Sequence, residues 1–338
     1  MSRDAQPKQF LPLVDDGTLF EATLRRVSNR ARFLSPMIVC GESHVGHVEH
    51  GLERLGVPDA TILVEPAARS TAPALALAAA SAKRPEYQLV LPCDHHVADA
   101  TAFLAAIEVG TASAATGSLV TFGMKPHRPE TGYGYISAIP GSGCRPVARF
   151  VEKPGAALAE AMVAEGGHYW NSGIFLWRSD SFLDELRELA PEVHSPAIAA
   201  MDGVGAQGRL VRPSPAAFAR SPSISVDYAV MEKTAKAVVV PVNMGWSDVG
   251  TWSSLHELAS ADHDANVCVE GSLVLDCEGC YIRSTGPKVV ALGVKDLVVV
   301  ITGDVALIMQ KSESQRVKEA AAVFAAQTPS EKLATSKA

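Results

Sequence analysis

Long apolar runs, a surplus of basic charge, aromatic side chains and cysteines are all scarce in this 338-residue chain. No stretch approaches the ~20 consecutive apolar residues that a membrane-spanning helix needs. The first thirty residues are broken by charge at Arg3, Lys8, Asp15, Glu21 and Arg25, so they hold no apolar core of a signal peptide. A formal net charge of −7 argues against a nucleic-acid partner, which requires a basic face. It leaves room for a local basic pocket that takes phosphates. Six cysteines are too sparse for a disulfide scaffold, and reduced cytosolic thiols are the expectation. Cys277 and Cys280 form a lone C-x2-C without a second pair at ligand spacing. Two half-buried thiols on a turn are expected there rather than zinc. With 47% hydrophobic and 20% charged residues, the composition is that of a folded globular chain.

What is present has a rhythm. The apolar runs "MIVC" (37–40), "TILVEP" (61–66), "QLVLPCDHH" (88–96) and "SLVTFGM" (118–124) alternate with helical patterns over 44–56, 73–84 and 100–110. Continuous apolar strands alternating with helices predict an α/β fold with a Rossmann-like, mostly parallel sheet covered on both faces. After residue 130 the spacing of "YGYISAI" and "PVARFVEKP" predicts antiparallel strands. From Asn266 to Gln310 only short β-type runs occur, which predicts a small C-terminal all-β appendage, either β-helix coils or a partial jelly roll. The expected division is a nucleotide-handling domain over 1–262, a β-rich domain over 263–311, and a helix with a loose tail over 312–338.

In an open α/β sheet, ligands bind beyond the carboxyl ends of the strands. Asp94 ends one such strand, and Asp248 in "GWSDVG" ends another. Two strand-end carboxylates suit Mg²⁺, which takes one or two carboxylates together with phosphate oxygens and water. Each could also be a simple loop cap. His95 and His96 are read as shaping the loop. "EPAARSTAPA" sets Arg69, Ser70 and Thr71 before a helix, where N–H groups and small hydroxyls suit an anion or a base edge, or an ordinary N-cap. "ETGYGYI" sets glycines beside aromatic residues, fit either for a ligand approaching the backbone or for a turn. "FVEKP" pairs Glu152 with Lys153 at a strand end, and "YWNSGIFLW" places Asn171 to bond hydroxyls. No Ser-His-Asp order or nucleophile elbow is present.

Eight stretches in this order resemble the mannose-1-phosphate guanylyltransferases among the nucleotidyltransferases that make nucleotide-sugars: "SRDAQPKQFLPL", "EPAARSTAPALALAA", "LPCDHHVAD", "TFGMKPHRPETGYGYI", "FVEKP", "YWNSGIFLW", "SVDYAVMEKT" and "GWSDVGTW". The resemblance implies transfer of GMP from GTP to mannose 1-phosphate, giving GDP-mannose and pyrophosphate, in the cytoplasm and without nucleic acid or membrane; a homodimer is compatible with it. It implies that Asp94 and Asp248 hold Mg²⁺ and that Lys8 meets phosphates. The segment Arg69, Ser70, Thr71, Ala72 and Pro73 would read the guanine. Gly134, Glu152 and Asn171 would hold sugar hydroxyls, and Lys153 would neutralise the sugar phosphate. The family usually has Asn where Ser70 stands. It also carries a strand and a G-G-x-G-T-R-L-W-P loop before the stretch that matches "MSRDAQPKQF". The expectation is therefore an internal Met start or a truncation, and transferase activity without the isomerase domain that some members add. The alternatives are a non-catalytic homologue that binds sugar nucleotide or pairs with an intact copy, and a nucleotidyltransferase for another sugar 1-phosphate.

Overall fold

The computed structural model describes residues 7–14, 17–268, 271–303 and 305–326. The opening segment 1–6 and the expected tail beyond 326 lie outside the described residues. The chain divides into two compact units. The larger is Thr18–Trp246, and the smaller draws its described residues from Met1–Gly17 and Ser247–Ala338. The unit boundary thus falls before Asp248, and the segment of Lys8 belongs with the C-terminal part.

In the larger unit the order is α1 (Leu19–Arg26), β1 (Met37–Gly41), α2 (Val45–Leu55), β2 (Thr61–Glu65), α3 (Thr71–Ala80), β3 (Tyr87–Val90), β4 (His96–Val97), α4 (Ala100–Ala115) and β5 (Leu119–Met124). There follow β6 (Tyr135–Ala138), β7 (Arg145–Val151), α5 (Ala156–Glu165), β8 (His168–Arg178), α6 (Ser179–Leu189), α7 (Pro191–Met201), β9 (Ala206–Gln207), β10 (Leu210–Val211), α8 (Pro215–Phe218) and β11 (Ala237–Val242). Helix α1 carries a reciprocal cap that its T-x-x-E spacing encodes: Thr18 Oγ1 accepts from the Glu21 N–H, and the Glu21 carboxylate accepts from the Thr18 N–H.

The strand–helix alternation is as expected, and the pairings refine it. Strands β1, β2 and β10 run parallel, as do β5 and β11. Strand β8 runs antiparallel to both β3 and β5, and β6 and β7 are antiparallel to each other. The larger sheet, in the order β3-β8-β5-β11-β7-β6, is therefore mixed, a common state for large sheets. Both of its faces are buried. Leu119, Val239, Phe175 and Trp177 pack on one side with Phe182 and Leu186 of α6. Val120, Phe122, Leu176 and Val240 pack on the other with Phe103 and Ala106 of α4. This two-sided burial is why the strands read as unbroken apolar runs. The Trp177 ring stacks on Phe182 at 4.3 Å between centroids. Each such fully buried large side chain stabilises the fold by roughly 1.5–3 kcal/mol.

The smaller unit adds α9 (Trp252–Leu258) and the strands β13 (Val267–Cys268), β14 (Leu273–Leu275), β15 (Tyr281–Ser284), β16 (Val290–Leu292), β17 (Leu297–Thr302) and β18 (Val305–Gln310), then α10 (Val317–Ala326). (β12, Trp246–Ser247, spans the boundary.) Strand β13 pairs in parallel with β15, β15 with β17, and β14 with β16, so successive coils stack residue on residue. Parallel coil-on-coil pairing selects the β-helix from the two expected appendages. Cys277 and Cys280 are fully buried in its apolar interior with Ile282 and Val299, rather than half-buried. The buried Asn266 closes the first coil: its Nδ2 donates to the Cys277 carbonyl at 3.0 Å and its Oδ1 accepts from the Cys280 N–H at 3.0 Å. Among the described residues, no helix is long and apolar enough to cross a membrane.

Candidate active site

The sugar-side residues expected from the sequence converge in the larger unit. Asn171 enters from β8 next to an irregularity opposite β5: Asn171 pairs with Gly123, but Phe175 already pairs with Thr121. The extra residues of this bulge turn the Asn171 side chain out of the plain ladder, the usual use of a bulge beside a site. Its Oδ1 accepts from Thr121 Oγ1 at 3.1 Å and from the Gly173 N–H at 3.2 Å, while its backbone N–H donates to the Gly134 carbonyl at 2.8 Å. Gly134 lies so near the Glu152 carboxylate that an added Cβ would stand 2.5 Å from Glu152 Oε2. Glu152 in turn accepts from Lys153 Nζ. Gly134 just before β6, Glu152 and Lys153 just after β7, and Asn171 within β8 thus form one polar cluster.

Two acids that the sequence reading did not assign join it. Asp227, in a π-helical turn over Asp227–Met231, accepts from Asn171 Nδ2 at 3.0 Å. Burial first, and then the neighbouring Glu152 carboxylate, pushes the Asp227 carboxyl up to about 6. Glu232 accepts from the Glu152 N–H at 3.0 Å. Lys153 is shifted the other way from a buried amine: the hydrogen bond to Glu152 raises it and keeps it charged. "SVDYAVMEK" carried the signal for Asp227 and Glu232, but nothing in the spacing says that a turn so far along the chain returns to β8.

The segment Arg69–Pro73 opens α3, with Ala72 and Pro73 buried. Thr71 Oγ1 accepts from the Val226 N–H at 2.9 Å, and the Ala72 N–H donates to the Ile224 carbonyl at 3.1 Å. These two groups are occupied in holding the segment against residues 224–226. Ser70 stands at the N-cap position without capping through its side chain, at φ 65 and ψ −171, a conformation nearly confined to glycine. The N-cap reading of the sequence is therefore not what the hydroxyl does.

Asp94 occupies the turn after β3 in the larger unit, and its carboxylate is partly exposed. Asp248 belongs to the smaller unit, where its Oδ1 accepts from the Gly250 N–H at 3.0 Å. There Lys8 Nζ donates to the Asp248 carbonyl at 2.7 Å, which brings together two residues distant in sequence. The residue after Asp248, buried Val249, has φ 51, a genuine outlier for a β-branched side chain. Among the described residues, the non-glycine positions with positive φ fall into two sets. Ser70, Lys153 and Val249 lie in the segments singled out from the sequence, and Ala265, Asp276 and Asp296 lie in the β-helix unit. Backbone strain gathers at ligand-binding loops when the surrounding structure over-determines them. Among the described residues, no group of three or more His, Cys, Asp and Glu side chains is arranged to hold a metal ion. The Asp94 and Asp248 carboxylates each offer hard oxygens of the kind that Mg²⁺ takes.

Comparison with known proteins places the chain in a family. The family described as nucleotidyl transferase matches residues 1–265, and the MannoseP isomerase/GMP-like beta-helix domain matches residues 271–322. The Xanthan biosynthesis protein XanB of Xanthomonas campestris pv. campestris (strain B100) is 45% identical over 323 residues, covering 94% of this chain and 68% of its own. The mannose-1-phosphate guanylyltransferase of Escherichia coli (strain K12) is 44% identical over 330 residues, covering 94% of this chain and 69% of its own. A crystal structure described as mannose-1-phosphate geranyltransferase from Thermus thermophilus superposes with a TM-score of 0.82 at 35% identity, over 96% of this chain and 94% of that one.

Proposed function

We propose, from the premise that the chain belongs to the mannose-1-phosphate guanylyltransferase family of nucleotidyl transferases, that it transfers GMP from GTP to mannose 1-phosphate and releases pyrophosphate. The observation that carries this reading is the cluster of Gly134, Glu152, Lys153 and Asn171. It offers carboxylate oxygens for hydroxyls and one ammonium for a phosphate. A sugar phosphate needs both.

In the proposed reaction a phosphate oxygen of the sugar attacks the α-phosphorus in line and pyrophosphate leaves, without a covalent enzyme intermediate. The chain's work is positioning and charge neutralisation. Glu152 and Asn171 orient the sugar. Gly134 lets it approach the backbone. Lys153 offsets the charge of its phosphate, and Lys8 meets the phosphates of the nucleotide. The Arg69–Pro73 segment holds the base edge, with its backbone fixed by the bonds to residues 224–226. Asp94 and Asp248 are the carboxylates that would hold Mg²⁺. Bound there, the ion supplies positive charge against the phosphate oxygens. Removing one such stabilising charge costs on the order of 10²–10³ in rate.

The test is pyrophosphate release by the purified chain with GTP, mannose 1-phosphate and Mg²⁺, beside titration calorimetry with GDP-mannose. UTP and glucose 1-phosphate serve as competing substrates. Turnover favouring GTP and mannose 1-phosphate, lost in Asp94→Asn and in Asp248→Asn with the fold retained, is expected. A preference for another nucleotide or sugar phosphate would overturn the substrate assignment. Tight GDP-mannose binding without turnover under any condition would overturn the enzymatic one.

A further inference from the structure

The loop of Asp94 is braced by a group that the proposed chemistry does not use. Trp246 Nε1 donates to His95 Nδ1 at 3.2 Å, with the two rings edge to face at 5.4 Å and 84°. An indole nitrogen is only a donor, so His95 Nδ1 is the acceptor, and the neutral imidazole carries its proton on Nε2. That Nε2 lies 3.8 Å from Asp94 Oδ1. The separation is longer than a direct hydrogen bond, so the N–H faces the carboxylate across a short gap. The imidazole is the fixed member of this pair: the His95 side chain is 14% exposed and that of Asp94 38%. A Cβ at Gly173 would stand 3.8 Å from His95 Cε1, so about a methyl group's width separates the ring from the β8 backbone.

Trp246 is itself anchored. Its ring meets Tyr133 edge-on at 5.1 Å, and Tyr133 meets Trp170 at 5.2 Å. The backbone before Trp246 is laced to the residues that follow β4: Ala98 N–H donates to the Gly245 carbonyl at 3.2 Å, and Asp99 N–H to the Met244 carbonyl at 3.0 Å. Gly245, at φ 60, has no room for a side chain, since its Cβ would stand 2.7 Å from Ala98 Cβ. Tyr133 is the residue before Gly134. One chain of contacts therefore runs from the sugar-side loop through Tyr133, Trp246 and His95 to Asp94.

We propose that Trp246 and His95 are positioning residues: Trp246 fixes the tautomer and the plane of His95, and the Nε2–H of His95 holds the Asp94 carboxylate in the orientation that a divalent cation needs. His95 is not a ligand in this arrangement, because one ring nitrogen accepts from the indole and the other carries a proton. The inference rests on the reading of Asp94 as a metal-holding carboxylate. Groups that orient metal ligands typically change metal affinity or activity 10–100-fold when removed.

The test uses Mn²⁺ alone as a paramagnetic probe for Mg²⁺, titrated into the full chain and followed by the signal of the free ion. Trp246→Phe keeps the ring and its edge contacts but deletes the donor. His95→Phe deletes both nitrogens, and His95→Gln restores an amide N–H near the Nε2 position. Asp94→Asn reports on the ligand itself. Trp246→Phe and His95→Phe should each raise the Mn²⁺ dissociation constant by about tenfold or more, and His95→Gln should recover most of the loss. In turnover assays the Mg²⁺ concentration for half-maximal rate should rise by a similar factor. Melting temperatures and GDP-mannose affinity, measured in parallel, separate this from misfolding. If Asp94→Asn weakens Mn²⁺ binding but Trp246→Phe and His95→Phe, folded, do not, the positioning role is overturned. If Asp94→Asn leaves Mn²⁺ binding unchanged, the assignment of Asp94 as a metal-holding residue fails, and the relay with it.

Discussion

At the scale of single residues, the cluster around Asn171 predicts two separable behaviours. Gly134→Ala would push its methyl group to within 2.5 Å of Glu152 Oε2. The obstructing atom is the end of a flexible side chain, so the fold yields cheaply and Glu152 swings aside. Loss of one charged hydrogen bond to a sugar hydroxyl costs roughly 1.5–3 kcal/mol. The KM for mannose 1-phosphate should rise about ten- to a hundredfold, with the melting temperature changed by no more than ~2 °C. A large drop in melting temperature at unchanged KM would contradict this. Asp227 makes a different prediction. Its carboxyl sits at about 6 in the folded chain, against about 3.9 for an unfolded aspartate. Between those values the folded state binds more protons, so the group's contribution to stability falls as pH rises from about 4 to about 6 and stays low above that. Asp227→Asn removes the effect. By calorimetry, the melting temperature of the variant relative to the parent should be higher at about pH 7.5 than at about pH 4.5. Equal differences at both would refute the assignment. Neither Asp227 nor Trp246 was legible as a partner in the sequence, although both stand in quoted motifs. Asp227 bonds a residue 56 positions earlier, and Trp246 one 151 positions earlier. Pattern and spacing carry no information about such returns. Gly134 and Glu152 were legible because they flank β6 and β7, whereas Asn171 stood out as a polar residue in an apolar run and lies inside β8 rather than at its start.

At the scale of elements, the sequence displays what has a period and conceals direction. Strands β1, β2, β3 and β5 lie where the apolar runs put them. That β8 runs antiparallel to β3 and β5 could not be read, since a strand buried on both faces looks the same in either direction. Strands β9 and β10, two residues each, are too short for any pattern. The β-helix was one of two readings because its coils share no repeated motif, and only the parallel register decides between them. Backbone strain was also invisible in the sequence, and it gives a prediction at the start of α3. Ser70 holds a conformation that suits glycine, at a cost of about 1–3 kcal/mol. Ser70→Gly releases that strain, offset by roughly 0.5–1 kcal/mol of chain entropy. The variant should melt ~2–4 °C higher. Its KM for GTP should rise, because the flexible glycine loosens the Thr71 N–H, which none of the bonds to residues 224–226 uses. A lower melting temperature would show that surrounding contacts, not strain, dominate at this position.

At the scale of the whole molecule, residues near the N-terminus and residues after Ser247, far apart in sequence, share the smaller unit, and this lets a remote residue bear on Lys8. Arg283 on β15 donates to the Pro12 carbonyl at 2.8 Å and to the Leu13 carbonyl at 3.4 Å. Lys8 lies on the same segment and donates to the Asp248 carbonyl. The segment is thus held at one end by Arg283 and at the other by Lys8 itself. Hydrogen bonds from a charged donor stabilise by roughly 1.5–3 kcal/mol, so their loss raises the population in which the segment is detached by about ten- to a hundredfold. Among the described residues, the hydrogen bonds of Arg283 go to the Pro12 and Leu13 carbonyls. Arg283→Ala should speed amide hydrogen exchange over residues 7–14 and raise the KM for GTP by about tenfold, through the freedom it gives Lys8. Exchange over the strands of Thr18–Trp246 should stay as it was. Arg283→Lys keeps one donor in place of the guanidinium fork and should fall between the two. Unchanged exchange over 7–14 in Arg283→Ala would show that the segment is held by its other contacts. Faster exchange at an unchanged KM for GTP would show that Lys8 does not meet the nucleotide.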